Sequence, residues 1–261
     1  GDPPPSGARI ENDNYIFEPS SGKLTVKTTA GTKAWREDTG IAENVGDRLS
    51  AIREVEIQDG VTSIEEEAFV LCENLSQVKL PNSLTSIGSC AFESCTNLAL
   101  ASLPSGISSI EAGTFSGCTS LALTSLPSGV TSIGSTAFNG CTSLGSLDLS
   151  GCTSLSTIGV SAFEGCTNLD LTSLPGKVTS IGVHAFEGCT SLALTSLPSG
   201  VTSIPYAAFY RCINLKLEVL PNSLTSIGEL AFYDCIGLTS LTLSNANAPT
   251  LNGAAFGGET P

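Results

Sequence analysis

The chain has no methionine and only one histidine, His184, among its 261 residues. It also has no Cys-x-x-Cys pair, so the clusters that hold transition metals are missing. The regular calcium-binding repeat GGxGxD is absent too, and neither a metal nor another cofactor is expected. Positive charge is scarce. There are 11 Lys and Arg against 25 Asp and Glu, and beyond residue 81 the cations are Lys177, Arg211 and Lys216. The net charge of −14 excludes a nucleic-acid partner, which needs clustered cations. No apolar run approaches the length of a membrane span. The first residue is not methionine, so a processed or engineered start is expected. Residues 1–7, ending in DPPPSG, read as a tether or a tag remnant. A secretion signal or lipid anchor is then expected to lie outside this chain.

What is present is a repeat. Nine times an aliphatic residue is followed five positions later by phenylalanine, from Ile64 and Phe69 to Leu251 and Phe256. The steps between successive phenylalanines are 23 residues, except 25 at Phe163 and 24 at Phe256. A period in the low twenties predicts a leucine-rich-repeat solenoid. This one should be β-rich, with eight or nine coils and two short strands per coil. In residues 118–138 the strands are expected around 121–126 and 130–133, with turns at Pro127–Gly129 and Gly134. Ala137 and Phe138 lead a helical or irregular turn back to Cys141.

Eight of the ten cysteines sit three residues after a repeat phenylalanine. This inward position suits a small buried hydrophobe, so they are expected to be free thiols. Cys90 and Cys152 fall outside that ladder, and neither is expected to be bridged.

The coils are of two kinds. After the cysteine, apolar residues fall at +3, +6 and +8 in Leu75/Val78/Leu80, Leu144/Leu147/Leu149 and Leu238/Leu241/Leu243. They fall at +3, +5 and +8 in the coils that start at Cys95, Cys118, Cys166, Cys189 and Cys212. A one-residue shift exchanges the faces of an extended segment. The strand face should therefore change character near 75–80, 144–149 and 238–243. The long repeat around Cys152 should carry a bend or bulge.

Residues 8–48 are expected to cap the array and 49–261 to form it. NYIFEPSSGKLTV reads as a β-hairpin burying Tyr15, Phe17, Leu24 and Val26. Asp38 or Thr39 is expected to cap a helix with Ile41, Val45 and Leu49 inward.

The unit CTSLxxLxLPxxVTSIGxxAFxG, over about residues 49–256, resembles the BspA-like leucine-rich-repeat family. The start NYIFEPSSGKLTV is similar to the opening of such bacterial chains. The resemblance implies a surface or secreted protein of a gut or oral bacterium, adhesion to host proteins or other cells, and no catalytic residues. The five +3/+5/+8 coils depart from the common form and present different outward residues.

Function should sit where the frame is broken. After the phenylalanine, Phe+1 runs Glu187, Tyr210, Tyr233 and Phe+2 runs Gly188, Arg211, Asp234, with Tyr206 and His184 one corner away. Tyr and Arg are enriched in binding hot spots, so Tyr206, Tyr210, Arg211, Tyr233 and Asp234 form one candidate surface. Asp148, Asp170, Lys216 and Glu218 on the strand face form the alternative. As an acid–base pair Asp148 and Asp170 are offset, at Cys+7 and Cys+4, which argues against an enzyme. The expected function is a noncatalytic, monomeric, extracellular or cell-surface adhesion module for a protein or glycan of a host or neighbouring cell. The alternative is a spacer or stalk presenting another domain.

Overall fold

The computed structural model describes residues 7–243 and 248–257. The proline-rich start through residue 6 and the last four residues lie outside them. The architecture is a β-solenoid with one core running from Tyr15 to Ala255.

The repeat phenylalanines build its axis. Successive rings from Phe69 to Phe256 stack with centroids 5.3–5.8 Å apart. Trp35 adds a further ring, 5.9 Å from Phe69. It is fully buried, and its Nε1 donates to the Thr32 carbonyl at 2.9 Å. Trp35 thus fills the place of a phenylalanine one coil before the array.

The cysteines keep to the inward position expected of them, and all ten are free. Seven also act as donors: each thiol from Cys95 to Cys235 in the ladder lies 2.9–3.1 Å from the carbonyl of the preceding repeat's phenylalanine. Burial pushes Cys72, Cys118, Cys166 and Cys235 up to about 12. Cys152 is buried off this line, with its thiol toward the carbonyls of Leu126 and Pro127. In the long repeat it replaces the Pro127 corner with another buried side chain, and tight turns close at Leu147 N to Gly145 O and Cys152 N to Leu149 O.

The Ser-Ile segments form the regular strand face. Ser109–Ile110, Ser132–Ile133, Thr157–Ile158 and Ser180–Ile181 pair in parallel, in register. Glycine follows the last three of these, as Gly134, Gly159 and Gly182, and serves close approach. A Cβ on Gly134 would stand 2.6 Å from the Ala112 nitrogen, and one on Gly182 would stand 2.4 Å from that of Val160. Positive φ is not its reason, since neither glycine has it.

The other face differs from expectation. Residues 121–126 form no strand; their one ladder contact is the bridge between Ser125 and Asp148. Pairing on this face occurs at Glu54–Ile57 with Gln77–Lys79, at that bridge, and at Val219–Leu220 with Thr242–Leu243. In each case the later coil carries apolar residues at +6 and +8. A two-residue spacing fits the alternation of a strand, whereas the three-residue step from +5 to +8 breaks it. The change of character near 75–80, 144–149 and 238–243 is therefore present, as pairing that appears there and lapses between.

At the N-terminus, Tyr15–Glu18 and Lys23–Val26 form the hairpin, with Tyr15, Phe17, Leu24 and Val26 buried. Lys23–Val26 then pairs in parallel with Glu54–Ile57, so the hairpin continues the solenoid sheet. Ile10–Glu11 adds an unforeseen edge strand. The helix is shorter than expected, Val45–Ala51, and its cap is Asn44, whose side chain accepts from the Asp47 amide. Asp38 instead accepts from the Gly40 amide and from the Tyr15 hydroxyl. Val45, as first helical residue, is 50% exposed rather than inward. Among the described residues no helix is long and apolar enough to cross a membrane.

Candidate functional site

From the first to the seventh repeat, the corner around the phenylalanine carries a regular inter-coil hydrogen-bond ladder. In the third repeat the amides of Gly113, Phe115 and Gly117 donate to the carbonyls of Ser135, Ala137 and Asn139 at 2.7–2.9 Å. In the seventh, Ala207, Phe209 and Arg211 donate to Glu229, Ala231 and Tyr233 at 2.7–3.0 Å. The same ladder therefore presents whatever stands at Phe+1, Phe+2 and Phe+4 at fixed spacing.

Phe+2 needs a left-handed backbone. Gly117, Gly140, Gly165 and Gly188 supply it with φ of 71–74°. Leu71 and Ser94 occupy the place in the first two repeats, and Arg211 and Asp234 in the seventh and eighth, with φ of 56–64°. A non-glycine residue there costs about 1 kcal/mol or more. Arg211 is thus held in a strained conformation that projects it from the corner.

Around it the candidate residues do come together. The rings of Tyr210 and Tyr233 stack at 5.2 Å, 9° from parallel. Arg211 Nε lies 3.8 Å from the Asp234 carboxylate, and both side chains are at least half exposed, so the pair adds little stability. Tyr206 is exposed and meets the His184 ring edge-on at 5.1 Å. His184 Nδ1 contacts the Glu187 carboxylate. Glu187 then joins Glu164, Gly188, Tyr210 and Arg211 in lining a shallow groove.

Two residues missed in the sequence complete this surface. Phe+4 is Thr96, Thr119, Thr142, Thr167 and Thr190 in repeats two to six, but Ile213 and Ile236 in repeats seven and eight. Ile213 lines the groove and is 36% exposed; Ile236 is 75% exposed. Reading the Phe+4 column as closely as Phe+1 and Phe+2 would have found them.

The strand-face candidates are more scattered. Asp148 and Asp170 line one shallow depression with Ser146, Ser150 and Thr172. Asp148 accepts from the Ser150 amide at 2.8 Å, and hydrogen bonding to Ser150 holds its carboxyl below the usual range. Lys216 and Glu218 are exposed, on the seventh repeat, two coils beyond Asp170. Closer to the hairpin, Lys23 bridges to Glu54 and Glu56, and Lys79 to Glu56. This is a solvated sheet face. Among the described residues no three His, Cys, Asp or Glu side chains converge as metal ligands.

A family model described as BspA type Leucine rich repeat region, in 6 copies, matches residues 41–170 and 132–260. Solved structures are similar in fold. A leucine-rich-repeat protein of T. pallidum is 26% identical over 86% of this chain and 87% of its own, with a TM-score of 0.45. The pneumococcal vaccine antigen PcpA is 20% identical over 95% and 85%, at 0.46. A leucine-rich cell surface protein of Faecalibacterium prausnitzii is 21% identical over 92% and 96%, at 0.39. A search of curated proteins gave no match. The stacked phenylalanines, the paired Ser-Ile segments and the matched repeats agree, and the chain belongs to the BspA-type leucine-rich-repeat family.

Proposed function

We propose that this chain is a noncatalytic binding module of a bacterial cell surface, engaging a protein of a host or neighbouring cell through the corner of repeats seven and eight. The observation that carries the reading is the change at that corner. Glycine and threonine give way to Arg211, Asp234, Ile213 and Ile236 beside a stacked tyrosine pair, while the backbone ladder runs unchanged through repeat seven. Tyr, Arg and exposed aliphatics placed on a rigid element make an interface hot spot. The cell-surface setting is supported by the family.

The test is a solid-phase binding panel of extracellular-matrix proteins, bacterial cells and glycans. Parent protein is compared with Tyr210→Asn/Arg211→Gly and with Asp148→Asn/Asp170→Asn. Loss in the first variant alone supports the corner. Loss in the second alone moves the site to the strand face. If nothing in the panel binds, the spacer reading replaces this one. The unbroken ring stack from Trp35 to Phe256 favours that alternative, since it stiffens the array along its length.

A further inference from the structure

The groove at this corner also carries information about its occupant. Its lining includes Gly165 and Gly188, with φ of 74° and 71°. A Cβ on either would meet nothing closer than 3.7 Å, an ordinary van der Waals contact with the neighbouring coil, so no side chain crowds these glycines. Tyr210 and Ile213 supply apolar surface, and Glu164 and Glu187 supply carboxylates. The one cation in the lining, Arg211, is offset by Asp234 at 3.8 Å. Its aliphatic stem is then the part left to pack against a guest. The groove is therefore apolar and anionic, within a chain of net charge −14.

Resting on the reading of this corner as the binding surface, we infer that its occupant is a positively charged protein segment presenting an apolar side chain. The apolar group would sit on Tyr210 and Ile213 above the bare glycines, with Lys or Arg of the partner facing Glu164 and Glu187. The excess negative charge would steer such a partner and repel an acidic one. A neutral sugar could stack on the tyrosines and donate its hydroxyls to the carboxylates, but it would bring no charge to meet the excess negative charge and would gain little from Ile213 and Ile236.

The experiment uses the full chain and synthetic peptides of about 12 residues, with affinities read by calorimetry at low and high salt. One peptide spaces leucines among lysines, a second spaces them among glutamates, a third among serines, and a fourth has lysines and serines without leucine. The lysine–leucine peptide is expected to bind at least about tenfold more tightly than the others. Glu164→Gln/Glu187→Gln should weaken it about fivefold or more, and raised salt should do the same. Tyr210→Asn/Arg211→Gly/Ile213→Thr should abolish it. That variant is one charge more negative, so unspecific attraction to an acidic protein would instead strengthen. Equal or tighter binding of the glutamate or serine peptide, no binding of any peptide, or binding only of oligosaccharides overturns the inference. If the triple variant still binds the lysine–leucine peptide like the parent, the corner reading itself fails.

Discussion

Repeats three to six and repeats seven and eight are the same on the inside and different on the outside. Phe115, Phe138, Phe163 and Phe186 stack as Phe209 and Phe232 do, and Cys118 through Cys235 repeat one thiol-to-carbonyl contact. At the outer corner Gly and Thr give way to Arg211, Asp234, Ile213 and Ile236. A solenoid coil contacts only its neighbours, so the interior fixes the geometry and leaves the corner residues free to vary. Where they vary together, in adjacent coils and toward interface residue types, the interior does not require the change.

The interior half of that comparison breaks if the two regions differ in their sensitivity to core damage. Phe163→Ala and Phe209→Ala should each cost about 3–5 kcal/mol in urea unfolding, because each removes a fully buried ring. The close approach of the coils is tested by Gly182→Ala, whose methyl would meet the Val160 nitrogen at 2.4 Å. Overpacking of that kind should cost about 1–3 kcal/mol, read in the same way. The thiols offer a third comparison. Cys118, Cys166 and Cys235 are all pushed from 9.0 to about 12. The unfolded chain releases these protons from about pH 9 and the folded chain only near 12, so the folded state binds more protons in between. Stability should then fall as pH rises through that window, by about 1 kcal/mol per buried thiol from about pH 9 to 10. A single Cys166→Ala or Cys235→Ala variant should lose that share of the alkaline slope, equally in both regions. The smallest effect belongs to the corner. Arg211→Gly relieves the left-handed strain and should leave stability unchanged or raise it by up to about 1 kcal/mol.

Much of this was legible because the period is carried by residues that repeat for one physical reason. The phenylalanine step announced the solenoid, and the hairpin announced itself through alternation around PSSG. Trp35 was harder: it stands 34 residues before Phe69, outside the step, and only the folded cap brings it onto the stack. The strand expected at 121–126 rested on its apolar residues, but alternation fails between Leu123 and Leu126, and the ladder fails with it. Gly134 read as a turn residue because a sequence cannot reveal how closely the neighbouring coil approaches. At the candidate site, Tyr210, Arg211, Tyr233 and Asp234 were visible as departures from the frame. Ile213 and Ile236 were not singled out, since an isoleucine in a leucine-rich repeat reads as core until its exposure is known.

The most direct measurement pairs thermal unfolding with binding for Tyr210→Asn/Arg211→Gly/Ile213→Thr, which gives repeat seven the corner of repeat four. If the interior holds the fold and the late corner holds the partner, this variant melts at or above the parent temperature and no longer binds the lysine–leucine peptide or any panel protein. A variant that melts lower, or that melts alike and binds alike, would contradict that division.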